Sequence, residues 1–153
     1  MRMSTRRKLT VLLATLALAW LAGDRVSTAS RRVVPNPILV LTGQEAYQAG
    51  GKSWIRYNYT VFNSADYPAE MFAASPNLPP CGNNTKASRT WVDIYDQRGK
   101  RLYGFCALGK PSDLNQLWFA LESGVVPPSW VYIEMTDRTT NTKYKSNLAE
   151  TTN

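Results

Sequence analysis

Residues 89–108 read "RTWVDIYDQRGKRLYGFCAL", and this stretch decides the fold class. Two runs rich in aromatic and β-branched residues, "WVDIYD" and "KRLYGFCAL", flank the short "QRG". Alternation around a tight connection is the signature of a β-hairpin. Asp96 followed by Gly99 suits a type I turn with Gly99 in the left-handed region, the three-residue hairpin with a bulge. That turn pairs Asp96 with Lys100, and simple counting extends the register. Ile94 then faces Leu102, Val92 faces Gly104 and Thr90 faces Cys106. On the other side Tyr95 meets Arg101, Asp93 meets Tyr103 and Trp91 meets Phe105. The hairpin thus has an aliphatic face (Val92, Ile94, Leu102, Cys106, Leu108) and an aromatic face (Trp91, Tyr95, Tyr103, Phe105) carrying Asp93 and Arg101. Charge is costly in a core, so the aliphatic face is the one expected inside.

The flanking sequence repeats the pattern. "SWIRYNYTVFN" (Ser53–Asn63) alternates strictly, with Ile55, Tyr57, Tyr59 and Val61 on one side and Trp54, Arg56, Asn58, Thr60 and Phe62 on the other. Before it, "ILVLTG" (38–43) reads as a short edge strand and Gly50-Gly51 as a turn. After the hairpin, Leu117, Phe119 and Leu121 alternate in a strand with a short lead-in. "WVYIEMTDRTTNTKYKSN" (130–147) forms a second hairpin around 138–141, with Val131, Ile133 and Met135 toward the core. The tail 149–153 is expected to fray. Between the first strands and the first hairpin lies "SADYPAEMFAASPNLPPCGNNTKAS" (64–88), with four prolines and no sustained period. A connection this long in a small domain is unusual. Strands at short spacing without a helix of useful length predict an all-β fold: a single antiparallel β-sandwich of about seven strands with one long Pro-rich loop.

The N-terminus explains most of the charge. Arg2, Arg6, Arg7 and Lys8 precede an apolar run from Leu9 to Ala22, and small residues follow at 27–29. This order predicts a signal peptide over 1–29, cleaved after Ala29, then a linker over 30–36 and a domain over 37–148. The run is shorter than the ~20 residues that span a bilayer, so no stable membrane span is expected after cleavage, the alternative being a retained N-terminal anchor. Residues 1–29 hold five Lys/Arg against one Asp, and the rest thirteen against ten Asp/Glu, so +4 of the net +7 is targeting. A nearly neutral folded part disfavours nucleic acid as a partner. Location is expected to be periplasmic or extracellular. In that setting Cys81 and Cys106 are most simply a disulfide, the alternative being a thiol metal site.

With no His in the chain, His triads, His general bases and His-metal sites are excluded. No SxxK spacing offers a lysine base, and the carboxylates Asp93 and Asp96 fall on opposite faces. No Gly-rich phosphate loop or calcium loop is present, so neither a cofactor nor a metal is expected. What remains is the aromatic face. Trp91, Tyr95, Arg101, Tyr103 and Phe105 suit a protein interface or carbohydrate stacking, unless "YPAEMF" folds over them.

"LWFALESGVVPPSWVYIEM" (Leu117–Met135) resembles the E-to-F passage of fibronectin type III-like domains, where a Pro-containing turn joins an apolar strand to an aromatic-x-aliphatic one. "SWIRYNYTVFN" is similar to strand B of an immunoglobulin-like fold. The whole resembles the β-sandwich of a family of uncharacterised exported bacterial proteins. The resemblance implies a fold, and fold does not imply function. "YTVFNSADYPAEMF" followed by "VDIYDQRGKRLYGF" is similar in layout to small bacterial immunoglobulin-like proteinase inhibitors, which would present Leu78 to Asn84 braced by Cys81. Three function classes follow: a non-catalytic module binding a protein or glycan in the envelope or outside the cell, a proteinase inhibitor, and an enzyme with a non-His site.

Overall fold

The computed structural model describes residues 33–81 and 87–152. The expected signal peptide and its cleavage point lie outside the described residues. Among the described residues eight strands occur in the order β1 (Leu39–Ala49), β2 (Lys52–Val61), β3 (Thr90–Asp96), β4 (Arg101–Phe105), β5 (Leu117–Glu122), β6 (Trp130–Asp137), β7 (Thr142–Lys145) and β8 (Ala149–Glu150). They form two antiparallel sheets, β1-β2-β5 and β4-β3-β6-β7, with β8 added beside β6. The all-β sandwich is therefore as the periodicity predicts. Among the described residues no helix is long and apolar enough to cross a membrane.

The inner faces are those picked out by alternation. Tyr57, Tyr59, Val61, Leu117 and Phe119 from one sheet meet Val92, Ile94, Val131, Ile133 and Met135 from the other, all buried in one cluster. The side-chain period of two leaves the residues between them on the outer faces. Tyr57 and Tyr59 both stack on Phe119, with ring centroids 4.9 and 6.0 Å away. Burial pushes the Tyr59 phenol well above its ordinary range.

Strand β1 runs further than "ILVLTG" suggests. Residues 44–49 have modest strand propensity, but each pairs with a residue of β2, from Gln44 opposite Tyr57 to Ala49 opposite Lys52. An available partner overrides local preference. A register shift between Leu41 and Gly43 leaves Thr42 without a partner.

The Pro-rich connection turns inward. Two 3-10 turns, Ser64–Asp66 and Ala69–Phe72, deliver Tyr67, Met71 and Phe72 into the core cluster. The Tyr67 hydroxyl donates to the Pro35 carbonyl at 3.1 Å. Burial is the main reason its pKa is pushed up to about 12. The same contact corrects the linker: Val34 packs on the core and the Asn36 carbonyl accepts from the Asn63 amide, so 33–36 belong to the domain. Cys81 and Cys106 are joined in a disulfide, Cα to Cα 5.6 Å, which ties the far end of the loop to the residue after β4.

The tail is also corrected. Residues 149–151 are fixed: Ala149 pairs with Val131, Glu150 pairs with Trp130, and Thr151 is fully buried. Its anchors are not visible as periodicity. They are the Tyr59 hydroxyl donating to the Glu150 carbonyl at 3.3 Å and Gln44 Nε2 donating to the Thr151 carbonyl at 2.7 Å. Asn147 adds a two-way clasp on the Leu39 backbone, accepting its N–H at 2.8 Å and donating to its carbonyl at 3.1 Å.

One buried charge holds the loop exit. Asp137, 3% exposed, receives Arg89 Nε at 2.9 Å and Nη2 at 2.6 Å, plus the Thr139 hydroxyl at 2.7 Å and N–H at 3.0 Å. The Arg89 guanidinium first, and the Thr139 donors after it, hold the Asp137 carboxyl far below the usual carboxylate range. Bidentate pairs of this kind are strong and directional.

Two outcomes follow. Phe72→Ala should cost about 3 kcal/mol or more in urea unfolding, since it empties the centre of the core. A loop lying outside the core would cost far less. Asp137 has a folded pKa below its unfolded value near ~3.9, so the unfolded chain takes up its proton first on acidification. The stability it contributes is complete above that value and is lost as pH falls toward the folded pKa. Asp137→Asn should therefore destabilise by about 2 kcal/mol at neutral pH, and the gap from wild type should shrink as urea midpoints are taken down toward pH 3.

Candidate functional site

The turn of the first hairpin forms as its residues require. Gly99 has φ +82°, Asp96 N–H donates to the Lys100 carbonyl at 2.9 Å, and Asp96 Oδ1 accepts from the Arg98 and Lys100 amides at 2.8 and 2.9 Å. Tyr95 faces Arg101 as expected. Beyond that pair the counted register fails. Ile94 pairs with Tyr103, Asp93 with Gly104 and Val92 with Phe105, leaving Leu102 without a partner of its own. A bulge of one residue exchanges the faces of everything after it.

The predicted aromatic face is consequently split. Trp91, Tyr95 and Arg101 stay on the outer face of the larger sheet. Tyr103 and Phe105 move to the side of buried Ile94 and Val92. Gly104 takes the outer position, and a Cβ there would collide with the Arg101 guanidinium, which crosses it to reach Asp93 Oδ1 at 2.7 Å.

The outer face of the larger sheet satisfies itself. Tyr95 stacks on Tyr132 at 5.4 Å, and Lys145 Nζ sits 4.0 Å from the Tyr132 centroid. Arg138 lies 4.4 Å over Trp91, whose indole N–H donates to the Ser88 carbonyl at 2.9 Å. Lys143 pairs with Glu134 at 2.7 Å. Burial first, then the Asp93 and Glu134 charges, raises the Tyr95 pKa. The aromatic partners here come from β6 and the turn after it, not from "YPAEMF", whose Met71 and Phe72 are in the core.

Tyr103 and Phe105 reach a different neighbourhood. Strand β4 is an edge strand, as is β5 of the other sheet. At this open side Trp118 of β5 meets Tyr103 at 4.5 Å and Phe105 edge-on at 6.2 Å. Trp118 lies on the outer side of β5, opposite buried Leu117 and Phe119. Next to it on the same face are Trp54 and Arg56 of β2 and Tyr47 of β1, with Tyr47 directly opposite Trp54. Arg56 is held between two rings, 5.0 Å from Tyr47 and 4.8 Å from Trp118. Tyr47, Trp54, Tyr103 and Trp118, with Ala49, Gly50 and Ala120 as the low floor, enclose a concavity of about 440 Å³.

This cleft is the candidate site. Of the residues singled out in the hairpin, only Tyr103 lines it. Phe105 supports Trp118 from behind. The signal for the remainder was present in the strict alternation of 53–63, which puts Trp54 and Arg56 on the solvent side. Trp118 was hidden between two core residues. Another concavity, of about 390 Å³, lies between the 97–100 turn and residues 125–129, but it has no aromatic wall. No cluster of metal-ligating side chains is present among the described residues. Of the expected inhibitory loop, residues 82–84 lie outside the described residues.

No protein-family model matches the chain, and neither a curated protein nor a solved structure is significantly similar to it.

The split of the aromatic face has a direct thermodynamic readout. A double-mutant cycle on Tyr103→Ala and Trp118→Ala, read by urea unfolding, should give a coupling of about 0.5–1.5 kcal/mol, as ring pairs in contact do. The cycle on Trp91→Ala and Phe105→Ala, neighbours in the counted register, should be additive.

Proposed function

We propose that this protein is an exported, non-catalytic binding module of the fibronectin type III-like or immunoglobulin-like kind, and that its ligand, a protein or glycan, seats in the cleft of Tyr47, Trp54, Tyr103 and Trp118. The observation that carries this reading is the convergence of four aromatic side chains from four strands of two sheets on one apolar concavity. Binding sites are typically concave, mostly apolar and flanked by few polar groups. Tyr and Trp offer large contact area at low entropic cost.

Export is supported by the charged-apolar-small order of the N-terminus together with the disulfide. The fibronectin type III-like reading is supported by the strand orders. If β1, β2, β3, β4, β5, β6 and β7 take the letters A, B, C, C′, E, F and G, the sheets read A-B-E and C′-C-F-G. The Pro-rich turn between β5 and β6 then falls at the E-to-F corner, where the sequence resemblance lies.

The test is retention of envelope and extracellular material on immobilised protein, with the polysaccharide and protein fractions assayed separately. Wild type should retain material that the Trp54→Ala/Trp118→Ala variant, confirmed folded by a cooperative urea transition, binds about thirtyfold less well. Equal retention by both would remove the cleft as the site.

A further inference from the structure

The aromatic cleft has a neighbour. Along the strand direction, on the other side of Trp118, a concavity of about 320 Å³ is lined by Arg56, Asn58, Asn115, Gln116 and Trp118. Trp118 is therefore a wall of both. Strand pairing sets the order on this face: Trp54 opposite Glu122, Arg56 opposite Ala120, Asn58 opposite Trp118. The step from the Trp54 level to the Asn58 level is about 13 Å at the usual strand rise, the span of a short oligosaccharide.

We propose that the two concavities are adjoining parts of one groove for an uncharged oligosaccharide, with Trp118 as the platform between them. This rests on the binding-module reading above and names its ligand class. The apolar half offers ring faces, which match the C–H faces of a pyranose. The polar half offers amides and a guanidinium, which present paired donors and acceptors to vicinal hydroxyls.

The state of these polar groups argues against a charged ligand. Arg56 has its positive charge answered by Glu45 at 3.6 Å and by the two rings that hold it. Lys52 is answered by Glu122 at 2.9 Å. A polyanion would find the cations of this face engaged, and a basic peptide would find the carboxylates engaged. What the groove leaves open is neutral hydrogen bonding. Thr60 Oγ1 donates to Asn115 Oδ1 at 2.9 Å, so the Asn115 amine is left as a donor. A ligand hydroxyl can accept from it.

The experiment uses the purified exported chain and an array of uncharged oligosaccharides, including cellohexaose, maltohexaose and chitohexaose, with oligogalacturonate and oligolysine as charged comparators. Binding is read by tryptophan emission and titration calorimetry. At least one uncharged oligosaccharide should bind saturably, shift the emission, and change little in affinity from ~50 to ~500 mM salt. Trp118→Ala should weaken it by about tenfold or more, and Asn115→Ala, an exposed change that leaves the core alone, by several-fold. If no uncharged oligosaccharide binds while the Trp54→Ala/Trp118→Ala pair still distinguishes a protein ligand in the retention assay, the glycan is wrong and the binding module stands. Salt-sensitive binding of either charged comparator through the groove also overturns the proposal. If neither glycan nor protein distinguishes the variant, both readings fall.

Discussion

A single unpaired residue, Leu102, sets the relation between the two sheets at their open side. Without it, Tyr103 and Phe105 would stand on the outer face of the larger sheet beside Trp91 and Asp93. With it, they point across the gap between edge strands β4 and β5 and pack on Trp118. Edge strands expose unpaired backbone, and proteins commonly blunt them with bulges or by covering them. Here the bulge does both: it bends the edge and supplies the aromatic cover. The cleft is a by-product of that cover, since Tyr103 rises beside Trp118 and faces Trp54 and Tyr47 across the low floor of Gly50 and Ala120.

The opposite side of the sandwich is closed by different means. There β1 and the tail meet through polar contacts: the Asn147 clasp on Leu39, the Tyr59 hydroxyl on Glu150 and the Gln44 amide on Thr151. The Pro-rich connection adds Tyr67, Met71 and Phe72 to the core. Its exit is secured by the disulfide and by the Arg89–Asp137 pair, which joins it to the turn between β6 and β7. The described parts of this connection, 64–81 and 87–88, hold their place with little regular structure because a few large side chains and two strong tethers offset the entropy of fixing them.

Much of the fold was legible because strand periodicity is a local signal. Tyr57, Tyr59 and Val61, and likewise Val131, Ile133 and Met135, could be assigned to the core from spacing alone, and all are buried. The 96–100 turn was legible from Asp96 and Gly99. The bulge was not: Gly104 is the one residue near it that departs from strand composition, and a lone glycine does not fix where the extra residue falls. The register is decided by packing between sheets, where Tyr103 finds Trp118 far along the chain. The paired tail likewise depends on a partner strand elsewhere in the chain, while the length of β1 comes from its hairpin partner β2, not from its own composition. The cleft draws residues from 47, 54, 103 and 118, so only the alternation that turned Trp54 outward hinted at it.

The bulge at Leu102 carries Tyr103 across the sheet edge onto Trp118. Nuclear Overhauser contacts measured on the folded chain test this most directly. Strong ring-to-ring contacts are expected between Tyr103 and Trp118, whose centroids lie 4.5 Å apart. Side-chain contacts between Tyr103 and Asp93, together with Trp91 against Phe105 and no signal from Trp118, would contradict it.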